Sequence, residues 1–192
     1  MAYKIKFDDY FRQIIRNALK YKLRHLAPSL SCARILFVVY SKMKKNDRFI
    51  LSKGHAYLAL ATMLEMRGKH PKFSEHPDID TENGVEITAG SLGHGLAIAV
   101  GMAKAKQIKK EKGRIFCLCG DGEFQEGIIW EALGLTEGLD NLKILVDYNR
   151  QSVLQKVCLV NTVKGRGLPF MEGKLEWHAR VINEADVQKY IA

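Results

Sequence analysis

An α/β fold with a central, mostly parallel sheet flanked by helices on both faces is predicted by three observations. Short apolar runs alternate with stretches whose apolar residues recur at helical spacing, the pattern of strands joined by helical crossovers. Residues 114–119 (Arg-Ile-Phe-Cys-Leu-Cys) and 142–146 are two such runs, and Ile128, Ile129, Trp130, Leu133 and Leu135 form the helical pattern between them. Each run ends in a polar turn, Gly120-Asp121-Gly122-Glu123 after the first and Asp147-Tyr148-Asn149 after the second. A right-handed crossover between parallel strands puts both turns on one edge of the sheet. Asp121 and Asn149 are therefore expected side by side. A carboxylate and an amide oxygen together suit a hard divalent cation. A helix start beside them suits phosphate. A metal-bridged diphosphate is the ligand these residue types point to.

The other elements follow in order. Phe7, Phe11, Ile14, Ile15, Ala18 and Leu19 mark an amphipathic first helix that ends near His25. Pro28 and Ser29 open a second, with Leu30, Ile35, Leu36, Val38 and Val39 apolar. Phe49, Ile50 and Leu51 read as a short strand, and Ser52 is placed to cap a helix running through Leu58, Leu60 and Leu64. His55 then falls in that helix's first turn, on the sheet edge where open α/β folds bind ligands. Residues 69–84 form a polar surface loop, in which His70 and His76 read as solvent-exposed. Residues 85–88 are a strand candidate, followed by a glycine-rich run, 90–95, and a helix from about 96 to 112. The glycine order there is neither the dinucleotide fingerprint nor a Walker loop. Residues 156–163 form a last buried strand, too close to Asn149 for the crossover a parallel neighbour needs. It is expected either to run antiparallel or to follow an absent segment. A glycine-rich turn at 164–169, Trp177-His178 and a final helix at 183–190 complete the chain.

With 192 residues, 47% of them hydrophobic, the chain is expected to form one domain with a real core. No apolar run approaches the roughly 20 residues that span a bilayer, and the first residues lack an apolar signal region. A cytoplasmic protein with no membrane contact is expected. The net charge of +9 comes from basic residues scattered over helix faces without interleaved aromatics. Nucleic acid is therefore not the expected partner. Cys32, Cys117, Cys119 and Cys158 match no zinc or CxxC spacing and read as reduced core residues. Cys117 and Cys119 are expected on opposite faces of their strand.

Five blocks in this order resemble the N-terminal, diphosphate-binding part of transketolase, and most of all the short subunit of split transketolases. They are the 25–31 entry, Leu51-Ser-Lys-Gly-His-Ala56, Gly90-Ser-Leu-Gly93, Gly120-Asp-Gly122 with Asn149, and Thr162-Val-Lys-Gly-Arg-Gly167 leading to His178. The resemblance implies a single thiamine diphosphate-binding domain over residues 1–192. It implies thiamine diphosphate held by Mg²⁺ or Ca²⁺, with Asp121 and Asn149 as side-chain ligands and Gln151 giving a backbone carbonyl. Gly120, Gly122 and Asn149 match positions at the diphosphate, and Gly90, Ser91 and Leu92 match the segment around the aminopyrimidine. His55 and His178 match histidines near the diphosphate and the reacting carbon. His25 and His76 match histidines that hold substrate hydroxyls and assist proton transfer.

The implied reaction transfers a two-carbon ketol unit from a ketose phosphate to an aldose phosphate. The glutamate that activates the aminopyrimidine comes, in this family, from a pyrimidine-binding domain. A heterotetramer with a separate C-terminal subunit is therefore implied. Glu126 matches a different glutamate, one at the dimer interface. His94 stands where many relatives have glutamine. The connections near 44–46, 69–76 and 151–156 are shorter than the family's, which implies segments missing there. Two alternatives remain: another thiamine-dependent synthase, making a deoxysugar phosphate, and a non-catalytic cofactor-binding subunit.

Overall fold

The computed structural model describes residues 5–149 and 159–191. Among these residues, four strands, β1 (Arg48–Leu51), β2 (Ile115–Gly120), β3 (Leu142–Tyr148) and β4 (Leu159–Asn161), lie in that order in one parallel sheet. The helices are α1 (Phe7–Tyr21), α2 (Leu26–Lys42), α3 (Tyr57–Met66), α4 (His94–Ile108), α5 (Gly127–Gly134) and α6 (Glu184–Ile191). Alternate strand residues feed two separate cores. Phe49, Leu51, Phe116 and Leu118 pack with buried residues of α1, α2 and α3. Ile50, Ile115, Cys117, Cys119 and Val146 pack with those of α4 and α5. All six residues of β2 are buried, which explains its unbroken apolar run.

Several sequence expectations are corrected. β4 runs parallel to β3, Val146 pairing with Leu159 and Tyr148 with Asn161, so the antiparallel alternative is excluded. The connection before it, 150–158, lies outside the described residues. Residues 85–88 join no sheet: Val85 and Asp80 exchange backbone hydrogen bonds in an isolated bridge, which closes a small loop instead. Cys117 and Cys119 lie with their sulfurs 3.8 Å apart, not on opposite faces. Side chains two positions apart on a strand share a face. Cys32, Cys117 and Cys119 are buried free thiols, and Cys158 lies outside the described residues.

Ser52 caps no helix. A 3-10 turn, Gly54–Ala56, precedes α3, and the Ser52 hydroxyl donates instead to Glu123 Oε1 at 2.6 Å. α4 crosses this corner so closely that a Cβ at Gly95 would come within 2.5 Å of the Ser52 Cα. Only glycine permits that approach. Among the described residues, no helix is long and apolar enough to cross a membrane.

Candidate cofactor site and histidine cluster

The β2–β3 register pairs Gly120 with Asp147 and brings the two polar turns level at the sheet's C-terminal edge. Asp121 is 4% exposed. Its Oδ1 accepts the Gly122 N–H at 3.0 Å and its Oδ2 accepts the Asn149 N–H at 3.0 Å. The Asn149 side-chain amide faces the same carboxylate. With its nitrogen inward it donates to Asp121 Oδ1 and Oδ2 at 3.3 and 2.7 Å. With its oxygen inward, two oxygens face each other, an arrangement made favourable by a cation between them. In that orientation the carboxylate and the amide oxygen could both face a cation. Gln151 lies outside the described residues. Among those described, no group of three or more His, Cys, Asp or Glu side chains could hold a metal. A cation here would take its remaining oxygens from backbone, ligand or water. α5 starts only at Gly127, so the helix start expected beside Asp121 is a 3-10 turn, Asp121–Gln125.

Three loops of this edge are tied together by Glu123. Its Oε1 accepts Ser52 Oγ and the Gly93 N–H at 2.8 Å, and its Oε2 accepts the Gly120 N–H at 2.7 Å. Burial raises its pKa, and these donors oppose that rise. A second buried tie joins Lys53 to Asp147, which are 2% and 0% exposed. Lys53 Nζ bonds Asp147 Oδ2 and the Pro28 carbonyl, while Asp147 Oδ1 accepts from Ser31 and Thr162. The pair fastens the end of β1 to the start of α2 and the ends of β3 and β4.

Beside these ties, four histidines from distant parts of the chain meet. The His25 ring lies 5.9 Å from His55, 5.4 Å from His76 and 5.7 Å from His178, and His55 lies 5.1 Å from His178. His25 Nδ1 contacts Glu75 Oε2 at 2.8 Å, and Lys164 Nζ contacts His178 Nδ1 at 3.1 Å. Burial, then the Lys53 charge, pushes His55 down to about 2. Burial, then Lys164, pushes His178 down to about 4. Burial also lowers His25, against the raising effect of Glu75. These three rings are neutral at pH 7. Each can then donate from one nitrogen and accept at the other.

The depressed values carry a stability consequence. Below about pH 6.5 the unfolded histidines bind protons that the folded ones refuse. The stability they contribute is complete above that value and is lost as pH falls towards the folded pKa values. The urea midpoint of the wild type is expected to drop between pH 7 and pH 5, and His55→Asn should flatten that drop. An unchanged slope in the variant would show that His55 titrates normally.

Gly90, Ser91 and Leu92 form an exposed loop beside this cluster, Leu92 being 39% exposed. A Cβ on Gly90 would lie 3.8 Å from the His76 ring, and one on Gly54 would sit 2.8 Å from the Ala89 carbonyl oxygen. Gly54 is thus a required glycine that lets the His55 turn pack on this loop. Gly122 is exposed, and a Cβ there would meet nothing, which leaves open space above the turn. A polar cavity of about 320 Å³ opens between Asn149, Thr162, Lys164 and Arg166. Two cations at its wall suit an anionic ligand.

Of the residues expected from the sequence, the structure brings His25, His55, His76 and His178 together, sets Gly90 beside His76, and joins Asp121, Gly122 and Asn149 at one corner, where Asn149 also lines the cavity. No motif marks the roles of Glu123, Lys53, Asp147 and Glu75. For the first three a signal exists: charged residues embedded in apolar runs or glycine turns are buried only when paired. Glu75 gives none, because its partners lie about 50 positions upstream in another loop.

Known proteins match this architecture. The family described as "Transketolase, thiamine diphosphate binding domain" matches residues 20–162, which includes all these site residues except Lys164, Arg166 and His178. One subunit of the apulose-4-phosphate transketolase of Phocaeicola vulgatus is 35% identical over 166 residues, covering 74% of this chain and 59% of that protein. One subunit of the 6-deoxy-6-sulfo-D-fructose transketolase of a Clostridium species is 29% identical over 231 residues, covering 83% of this chain and 84% of its own. The transketolase of Campylobacter jejuni superposes with a TM-score of 0.76 at 26% identity, over 96% of this chain and 40% of that one. The chain therefore spans about three fifths of the first relative and two fifths of the solved enzyme. On the family match and the shared fold together, this chain belongs to the transketolase family and carries its thiamine diphosphate binding domain.

Proposed function

We propose that the chain is the cofactor-binding subunit of a split transketolase, which moves a two-carbon ketol unit from a ketose phosphate to an aldose phosphate. The observation that carries this reading is the meeting of four histidines, joined to the Asp121–Asn149 corner through Lys164, which contacts His178 and lines the same cavity as Asn149. Thiamine diphosphate, when bound, supplies the carbanion-stabilising chemistry of ketol transfer. Asp121 and Asn149 would hold Mg²⁺ or Ca²⁺, with Gln151 adding a backbone carbonyl. Gly120 and Gly122 would lie at the diphosphate, with open space above Gly122, and Lys164 and Arg166 add positive charge. Gly90, Ser91 and Leu92 would flank the aminopyrimidine. His55 and His178, both kept neutral, can hydrogen-bond without repelling the adjacent lysines. His25 and His76 would hold substrate hydroxyls and move their protons.

The Phocaeicola and Clostridium relatives are each named as one subunit of a transketolase. That supports a separate partner carrying the pyrimidine-binding domain, and we infer a heterotetramer of the two. The alignment with the Clostridium protein runs over 231 residues, longer than this 192-residue chain. The alignment therefore opens gaps in this chain, which supports reading residues 1–192 as one such domain with segments missing near 44–46, 69–76 and 151–156. The test mixes the chain with the neighbouring subunit, thiamine diphosphate and Mg²⁺, and offers ketose phosphates or pyruvate as donor. Turnover of a ketose phosphate is expected. Turnover with pyruvate alone would replace the reading with a deoxysugar phosphate synthase, and none at all would leave a binding subunit.

A further inference from the structure

We propose that Glu75 is the positioning residue for His25, fixing its ring in the Nδ1–H tautomer and leaving the Nε2 lone pair as the proton acceptor. The inference deepens the proposed role of His25 and rests on that reading for its catalytic meaning. The geometry is specific. His25 opens α2 at the break after α1, while Glu75 sits in the 69–84 loop beside His76. The Glu75 carboxylate accepts the Arg24 N–H at 3.1 and 3.3 Å and Arg24 Nε at 3.3 Å, and it meets His25 Nδ1 at 2.8 Å. Three donors from two adjacent residues thus converge on one side chain of another loop. The contact also holds that loop down, and with it His76, 5.4 Å from the His25 ring.

The tautomer follows from the inventory of donors and acceptors. A carboxylate accepts only, so the nitrogen facing it must carry the proton. Burial by itself would raise Glu75, but the Arg24 backbone N–H, His25 and the Arg24 side chain together bring it below the usual glutamate value. It is therefore ionised at neutral pH. The groups facing His25 are Glu75, His76, Arg24, His55 and His178. Burial outweighs Glu75, so the ring is neutral and holds a single proton. That proton belongs on Nδ1, and Nε2 keeps its lone pair. An orienting carboxylate of this kind sets which nitrogen of a histidine does chemistry.

The experiment uses ¹⁵N-labelled full-length chain and long-range ¹H–¹⁵N spectra at pH 7.5, with His25 assigned by its loss in His25→Gln. The wild type is expected to show the Nδ1–H tautomer. Glu75→Gln keeps an acceptor oxygen and should keep the tautomer. Glu75→Ala should move the signal towards Nε2–H, with an unchanged thermal midpoint confirming the fold. In the reconstituted enzyme, kcat of Glu75→Ala should fall about 10-fold or more, as when a residue that orients a functional histidine is removed. Glu75→Gln should recover most of it. A Glu75→Ala spectrum identical to wild type, or a kcat equal to wild type, overturns the proposal. The spectrum needs neither cofactor nor partner, so a wild type without ketol transfer counts against the proposed function, while the tautomer still decides the role of Glu75.

Discussion

Asp121→Asn is expected to lower the affinity for thiamine diphosphate in the presence of Mg²⁺ by at least about 100-fold, read by calorimetry. Removing a group that merely orients a metal ligand costs about 10–100-fold. Asp121 would be a direct ligand and the one formal negative charge of the Asp121–Asn149 pair. Hard cations are held chiefly by oxygen charge and number, so a neutral amide there loses the larger share. Asparagine keeps the shape of the side chain, and its oxygen can still accept the Gly122 or Asn149 N–H. The apo fold should therefore survive, with a thermal midpoint close to wild type. Affinity equal to wild type in a folded Asp121→Asn protein would sink the metal reading.

Lys53→Met should cost about 3–5 kcal/mol of stability, because it leaves the Asp147 charge buried without its partner. Both groups are almost wholly out of water. The hydroxyls of Ser31 and Thr162 remain on Asp147 Oδ1, but they do not replace a cation on Oδ2. The double variant Lys53→Met/Asp147→Leu should recover much of the loss, since an apolar pair needs no compensation. Urea denaturation at pH 7 checks both, and a single-variant loss below about 1 kcal/mol would mean that water reaches Asp147. Burial alone would lower the Lys53 pKa, but Asp147, Cys32 and Asp121 more than reverse it, so the value is raised. A raised lysine contributes fully below its unfolded value of about 10.4 and loses that contribution as pH rises through the folded value. The pair is thus intact across neutral pH. His55 lies two residues beyond Lys53, so loosening this tie should also blur the histidine cluster.

β2, β3 and the edge they build are legible from local pattern alone. β2 is buried on both faces, so its apolar run is continuous and unmistakable, and the turn after it carries Gly120, Asp121 and Gly122 in fixed order. Parallel pairing then places Asn149 against Asp121 with almost no freedom, which is why that contact could be read in advance. Weak local signals failed where tertiary contacts compete with them. Ser52 gave up a helix cap for a buried carboxylate, and residues 85–88 closed a loop instead of joining a sheet. The resemblance assigns His25, His55, His76 and His178 to one site, but it took the folded chain to show that their rings meet, that Lys53, Asp147 and Glu123 tie the surrounding loops, and that Glu75 grips His25. Strand pairing is dictated by periodicity within short segments. Contacts between loops tens of residues apart depend on how two separate cores, above and below the sheet, bring those loops to one edge. No local pattern encodes that.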